Sequence, residues 1–194
     1  MKTFEEMEKY ALEENIPIME KSGISYLQKF ILDNNITSIL EIGSAIGYSA
    51  IKMASIKNDV TITTIERDIK RFNIAKKNIE DFNMTNRISI FNCDALEFDE
   101  NKKYDLIFID AAKSQYIKFF EKYKQNLNKN GFIITDNISF HNMIYNIDSI
   151  KNRNTKQLVK KILNFKKYLD ENEEFITTYI LVGDKIAISM KNSN

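Results

Sequence analysis

Ser38-Ile39-Leu40-Glu41-Ile42-Gly43-Ser44-Ala45-Ile46-Gly47-Tyr48-Ser49 is the stretch from which the fold of this chain can be read. Its short apolar run, rich in β-branched residues, predicts a buried strand that stops at Gly43, with a second glycine four residues on. Strand, tight turn and helix is the implied order. Glycines let the turn pass close under a ligand, and the helix that follows presents unpaired N–H groups. That is the shape of a nucleotide pocket, although many α/β proteins carry such a turn and bind nothing with it.

Outward from this turn, strands and helices alternate. Val60 to Ile65 predicts a second strand ending at Glu66, and Phe72, Ala75, Ile79 and Phe82 mark one face of a helix. Ile88 to Phe91 predicts a third strand leading to Asp94-Ala95, and Tyr104 to Ile109 a fourth ending at Asp110. A helix through Phe119, Phe120, Tyr123 and Leu127 comes next. Gly131 then releases a fifth strand, Phe132 to Thr135, which ends at Asp136-Asn137. Upstream, Phe4, Met7 and Ala11 predict a short helix interrupted before Pro17, and Ser22 caps a second one that buries Ile24, Leu27 and Ile31. Phe175 to Val182 and Lys185 to Met190 predict an antiparallel hairpin, because the turn between them is too short for a crossover helix. The expected fold is α/β: a Rossmann-like, doubly wound sheet, mostly parallel, with an antiparallel C-terminal hairpin.

With 194 residues, 43% of them hydrophobic, the chain has material for one domain, residues 1–194, opened by N-terminal helices within residues 1–35. A formal net charge of +1 rules out a global field that draws the protein to nucleic acid, so any such attraction must be local. The single cysteine, Cys93, cannot form an internal disulfide and is expected as a reduced, partly buried thiol. The acidic, polar start is unlike a signal peptide, and no apolar run approaches bilayer length. The expectation is a cytoplasmic protein with no membrane partner.

Glu66, Asp94, Asp110 and Asp136 each fall at or just beyond the carboxyl end of a predicted strand. In an open parallel sheet those ends share one edge, where ligands bind. One acid there is commonly a helix cap; four behind one glycine turn point to a site. Glu66 follows Gly43 by about twenty residues, the spacing at which an acid accepts hydrogen bonds from a ribose diol. A nicotinamide dinucleotide fits that acid too, but the turn lacks the Gly-x-Gly-x-x-Gly that admits a pyrophosphate. Adenosine joined to an amino acid fits better than a dehydrogenase cofactor.

Glu41 to Ser49, the pair Asp94-Ala95, Ile109-Asp110-Ala111-Ala112-Lys113 and Thr135-Asp136-Asn137 together resemble the metal-dependent O-methyltransferases that use S-adenosylmethionine, the catechol and caffeoyl-CoA group within the class I methyltransferases. The resemblance runs in order from about Pro17 to Met190. Within the group, Pro17 to Gly23, Phe108 to Tyr116 and Val182 to Ser189 are similar to bacterial tRNA 5-hydroxyuridine methyltransferases. The resemblance implies that Met19, Glu41, Gly43, Ser49, Glu66, Asp94, Ala95 and Asp110 contact S-adenosylmethionine. It also implies that Asp110, Asp136 and Asn137 hold Mg2+, that Lys113 is the general base beside Asp110, and that the protein is a homodimer. Structural packing remains the default reading of Met19. One departure tells against a catechol: the catechol enzymes place His-Trp before this lysine, whereas this chain has Ala111-Ala112 and no tryptophan. Magnesium prefers oxygen ligands in an octahedron, and two neighbouring substrate oxygens, as in a catechol or in the 5-hydroxyl and 4-carbonyl of 5-hydroxyuridine, suit such a site.

From Ser149 to Lys167 the chain has seven basic residues and no acidic one. Leu158, Ile162, Phe165 and Leu169 are expected to face inward, which turns Lys151, Arg153, Lys156, Lys160 and their neighbours outward. A solvated lysine face is the ordinary explanation of such a run; beside the family likeness it reads as a surface for tRNA phosphates around an anticodon stem-loop. The expected function is O-methylation of 5-hydroxyuridine to 5-methoxyuridine at the wobble position of tRNA. The alternatives are an O-methyltransferase of small catechol-like molecules and a non-catalytic nucleotide- or RNA-binding module. His141, the only histidine, is expected as an exposed loop residue close to the Asp136-Asn137 loop.

Overall fold

The computed structural model describes residues 3–139 and 143–192, so His141 lies outside the described residues. The chain packs as two compact units that meet in sequence between Asn101 and Lys102.

The first unit opens with helices α1 (Phe4–Glu13) and α2 (Lys21–Asp33). Thr3 and Glu6 close a reciprocal capping box on α1. The second helix starts two residues earlier than expected: its cap is Glu20, and Ser22 lies inside the first turn. Strands β1 (Ser38–Ile42), β2 (Thr61–Ile65) and β3 (Ile88–Phe91) are joined by α3 (Tyr48–Ala54) and α4 (Ile69–Asp81). They pair in parallel in the order β3-β2-β1, as crossover helices require. Met7, Leu27, Ile31, Ile39, Ile51 and Ile79 are among the buried residues of this unit's core. Glu8 ties three helices together: its carboxylate accepts from the Tyr48 hydroxyl at 2.7 Å and pairs with Lys21 at 2.8 Å.

The second unit contains β4 (Tyr104–Ile109), a 3-10 turn at Lys113–Gln115, α5 (Tyr116–Tyr123), β5 (Leu127–Thr135), α6 (Arg153–Asp170), β6 (Phe175–Ile180) and β7 (Ile186–Lys191). β4 and β5 are parallel, β7 runs antiparallel to β5, and β6 runs antiparallel to β7. The expected alternation and closing hairpin are therefore present. Two boundaries differ. Leu127 opens β5 instead of ending a helix, and Gly131 lies within that strand. A Cβ at Gly131 would stand 2.8 Å from the Asp105 carbonyl oxygen, so the glycine answers a close approach of backbones where the register shifts, not a turn. The core of this unit is aromatic: the Phe120 ring meets Phe165 and Phe175 edge-on, with centroids 6.3 and 5.1 Å away. On α6, Val159 takes the buried place expected for Leu158, which is half-buried, while Ile162, Phe165 and Leu169 face inward as expected. Among the described residues no helix is long and apolar enough to cross a membrane.

Candidate functional site

In the first unit the glycine turn is built from both ends of the strand edge. Gly43 and Gly47 have φ of 98° and 80°, and the Gly43 and Ser44 N–H groups donate to the Ile65 carbonyl at 3.0 and 3.2 Å. A Cβ at Gly47 would come within 3.3 Å of the Ala75 Cβ, so helix α4 lies directly against the turn. Asn78, fully buried on the same helix, donates its amide to the Ile46 carbonyl at 2.7 Å. Sequence periodicity had no means of finding Asn78, because it is a polar residue on an apolar face.

Glu66, at the end of β2, is only 7% exposed. Its Oε2 accepts from the Ala45 N–H and its Oε1 from the Asp68 N–H, both at 2.8 Å. Ala45 itself has φ of 46°, a left-handed conformation held in place by that bond. A carboxylate has about four acceptor sites, so Glu66 braces the turn and keeps capacity for a ribose diol. Glu41 is buried beneath the turn, where its two carboxylate oxygens accept from the Ser49 and Thr64 hydroxyls at 2.5 Å each. Ser49 and Glu41 are thus bound to each other. Met19 is buried, with its methyl lying 3.0 Å from where a Gly23 Cβ would stand, which is a packing role. Asp94 is half-buried and caps its own turn by accepting from the Leu96 N–H at 2.8 Å, next to buried Ala95. Cys93, as expected, is a partly buried thiol outside any disulfide.

In the second unit, the ends of β4 and β5 bring Asp110 and Asp136 together. The Asp136 N–H donates to the Ile109 carbonyl at 3.1 Å, and the Tyr116 hydroxyl, itself buried, donates to the Asp136 carbonyl at 2.9 Å. Burial pushes the Asp136 carboxyl up to about 7, with Asp110 adding to the push and the Asn137 N–H opposing it. Burial also raises Asp110, against the opposing charge of Lys113. Asp184, in the β6–β7 turn, adds its negative charge to Asp136. Asn137 has φ of 66°, and its side-chain oxygen is buried without a hydrogen-bond partner. A buried acceptor left unpaired costs about 1–3 kcal/mol. Two carboxylates that repel each other and an orphaned amide oxygen form a hard-oxygen set that a small divalent cation would satisfy. Among the described residues no three His, Cys, Asp or Glu side chains form such a set.

Helix α6 packs against the 3-10 turn that carries Lys113 and against a second one at Met143–Tyr145. Lys151, Arg153, Lys160 and Lys161 are exposed and, among the described residues, form no ion pair. Lys156 differs from expectation: it is half-buried and lies 3.5 Å from Asp148, which precedes the helix. Gln157 and Asn164 fall on the exposed face with Arg153 and Lys160, giving an uninterrupted strip of donors at helical spacing.

The sequence matches the O-methyltransferase family over residues 1–192. It is 25% identical over 183 residues to tapetum-specific methyltransferase 1 of Arabidopsis thaliana, covering 91% of this chain and 77% of that protein. Among solved structures, a caffeoyl-CoA O-methyltransferase candidate from Staphylococcus aureus superposes with a TM-score of 0.94 at 36% identity, over 99% of this chain and 93% of that one. An O-methyltransferase from Bacillus cereus in complex with SAH shares the fold, with a TM-score of 0.82 at 24% identity over 97% of this chain and 90% of that one.

Proposed function

The chain belongs to the O-methyltransferase family, and from that premise we propose that it transfers a methyl group from S-adenosylmethionine to the 5-hydroxyl of 5-hydroxyuridine in tRNA, with Mg2+ as cofactor. The observation that carries the RNA assignment is α6, whose exposed Arg153, Lys160 and Lys161 form no ion pair among the described residues and belong to the same helix that packs on the Lys113 turn. Phosphates along that strip would bring a loop nucleotide toward Lys113. The missing His-Trp before Lys113 supports a nucleobase over a catechol.

The first unit supplies the methyl donor's binding groups. The Glu66 carboxylate would accept from the ribose hydroxyls while it braces Ala45, and the Gly43–Gly47 turn would receive the rest of the donor. The SAH bound to the Bacillus cereus relative supports that use of the fold. In the second unit, Asp110, Asp136 and the Asn137 side-chain oxygen would hold the cation, which supplies a positive charge that favours a deprotonated substrate hydroxyl. Lys113 takes the hydroxyl proton. The oxygen forms a bond to the methyl carbon as the carbon–sulfur bond breaks, and the sulfonium leaves as a neutral thioether. Tyr116 keeps Asp136 in place through its bond to the Asp136 carbonyl. We propose that the protein acts as a homodimer in the cytoplasm.

The test is incubation with methyl-labelled S-adenosylmethionine and tRNA that carries or lacks 5-hydroxyuridine. Label in the hydroxylated tRNA alone is expected. Label in a free catechol and in neither tRNA would replace the RNA assignment with the small-molecule one.

A further inference from the structure

We propose that Tyr145 is a stacking platform for the nucleobase next to the one that is methylated, an inference that rests on the RNA reading above. Tyr145 is a large aromatic side chain left 62% exposed. It sits at the end of the Met143–Tyr145 turn, which packs on the basic helix α6. Its position is fixed from the side of the candidate cation set. The Ile138 and Ser139 N–H groups, directly after Asn137, donate to the Lys185 and Asp184 carbonyls at 3.1 and 2.9 Å. Lys185 adopts a left-handed φ of 65°, and its ammonium donates to the Tyr145 hydroxyl while standing 4.4 Å from the ring centroid. The residues that carry the candidate cation ligands and the exposed ring are therefore braced on one turn.

An exposed ring anchored by its hydroxyl end has few rotamers left to lose, so a flat partner gains contact at small entropic cost. The chemistry around it selects the partner. The ring is accompanied by an ammonium, and the adjoining helix presents Arg153, Lys160 and Lys161 without acidic partners. A flat group attached to phosphates matches both features, whereas a small neutral aromatic acceptor makes no use of the cations. A loop nucleotide drawn out for reaction leaves its neighbour without a stacking partner, and an aromatic side chain replaces it whatever the base.

The experiment uses the full chain with S-adenosylhomocysteine and magnesium. A fluorescein-labelled anticodon stem-loop bearing 5-hydroxyuridine reports binding by anisotropy, and initial rates with S-adenosylmethionine give KM and kcat. Tyr145→Ala is expected to raise both Kd and KM by about 5- to 150-fold, the range for one lost base stack, with kcat nearly unchanged. Tyr145→Phe keeps the ring and should restore most of the affinity. A stem-loop with an abasic nucleotide on one side of the reacting uridine should weaken wild-type binding by a similar factor and weaken Tyr145→Ala no further, since the two changes remove one contact. Wild-type affinity in Tyr145→Ala, or losses that add in full with an abasic nucleotide on either side, overturns the platform. If wild type binds and methylates no stem-loop, the RNA reading falls and the platform falls with it.

Discussion

Glu66→Ala separates a structural brace from a ligand contact in one variant. The wild-type carboxylate accepts two backbone bonds of 2.8 Å, from Ala45 and Asp68, at a position only 7% exposed. Hydrogen bonds to a charged group contribute about 1.5–3 kcal/mol each. The freed N–H groups regain part of this from water, which leaves an expected loss of about 2–4 kcal/mol. For a chain of this size that lowers Tm by about 4–16 °C. Ribose hydroxyls use the remaining acceptor sites, so the variant should also weaken S-adenosylhomocysteine by about 1–3 kcal/mol, or 5- to 150-fold. Glu66→Gln, which retains an acceptor oxygen, should fall between the two. Thermal unfolding without ligand reads the first effect, and isothermal titration at a temperature where the variant is folded reads the second. A lowered Tm with wild-type affinity removes Glu66 from the ribose site and leaves it a brace; an unchanged Tm refutes the brace itself.

Magnesium should raise the Tm of the wild type and leave those of Asp136→Ala and Asn137→Ala unmoved, with turnover lost in EDTA and restored by magnesium; full activity in excess chelator contradicts this. Without metal, the raised Asp136 carboxyl means that the folded chain keeps a proton the unfolded chain has released, so stability should fall as pH rises from the ordinary carboxylate range through about 7. Asp136→Asn should flatten that decline in pH-dependent melting curves. Lys113→Ala should lower kcat by about 10²–10⁴-fold while S-adenosylhomocysteine affinity, measured by titration, is retained. For α6, tRNA affinity should weaken with salt, and replacing Arg153 and Lys160 together should reduce the log–log slope by about 0.7–0.9 per lost phosphate contact; an unaltered slope excludes the strip as the contact surface.

The ends of β2, β4 and β5 were legible because their buried stretches stop directly at an acid, and half-exposed β3 is followed by one three residues on. That placed Glu66, Asp94, Asp110 and Asp136 from sequence. Leu127 was misplaced because its spacing from Tyr123 continues a helical period, while the polar Asn128-Lys129-Asn130 that follows hides the first half of β5. Leu158 and Val159 are adjacent apolar residues, and periodicity cannot choose between them; packing on α6 chose Val159. The Lys156–Asp148 pair depends on a 3-10 turn at Ile147–Ser149 folding back on the helix start. Glu41's bonds to Ser49 and Thr64, and the Asn78 amide on Ile46, join residues far apart in sequence, a kind of information no local pattern holds. Tyr145 carries no periodic signal at all.

The close seat of Gly47 against Ala75 makes these two positions an energetically coupled pair. Gly47→Ala brings two methyl groups within 3.3 Å and also places alanine at a φ of 80°. Only the first of these costs can be lifted from the other side. Ala75→Gly, itself about 1 kcal/mol unfavourable inside a helix, becomes a partial suppressor in that background. It relieves the collision and leaves a backbone penalty of about 1–2 kcal/mol. Drift at the turn is therefore one-directional: a larger residue at 47 needs a smaller one at 75, and no choice at 75 fully frees position 47 from glycine.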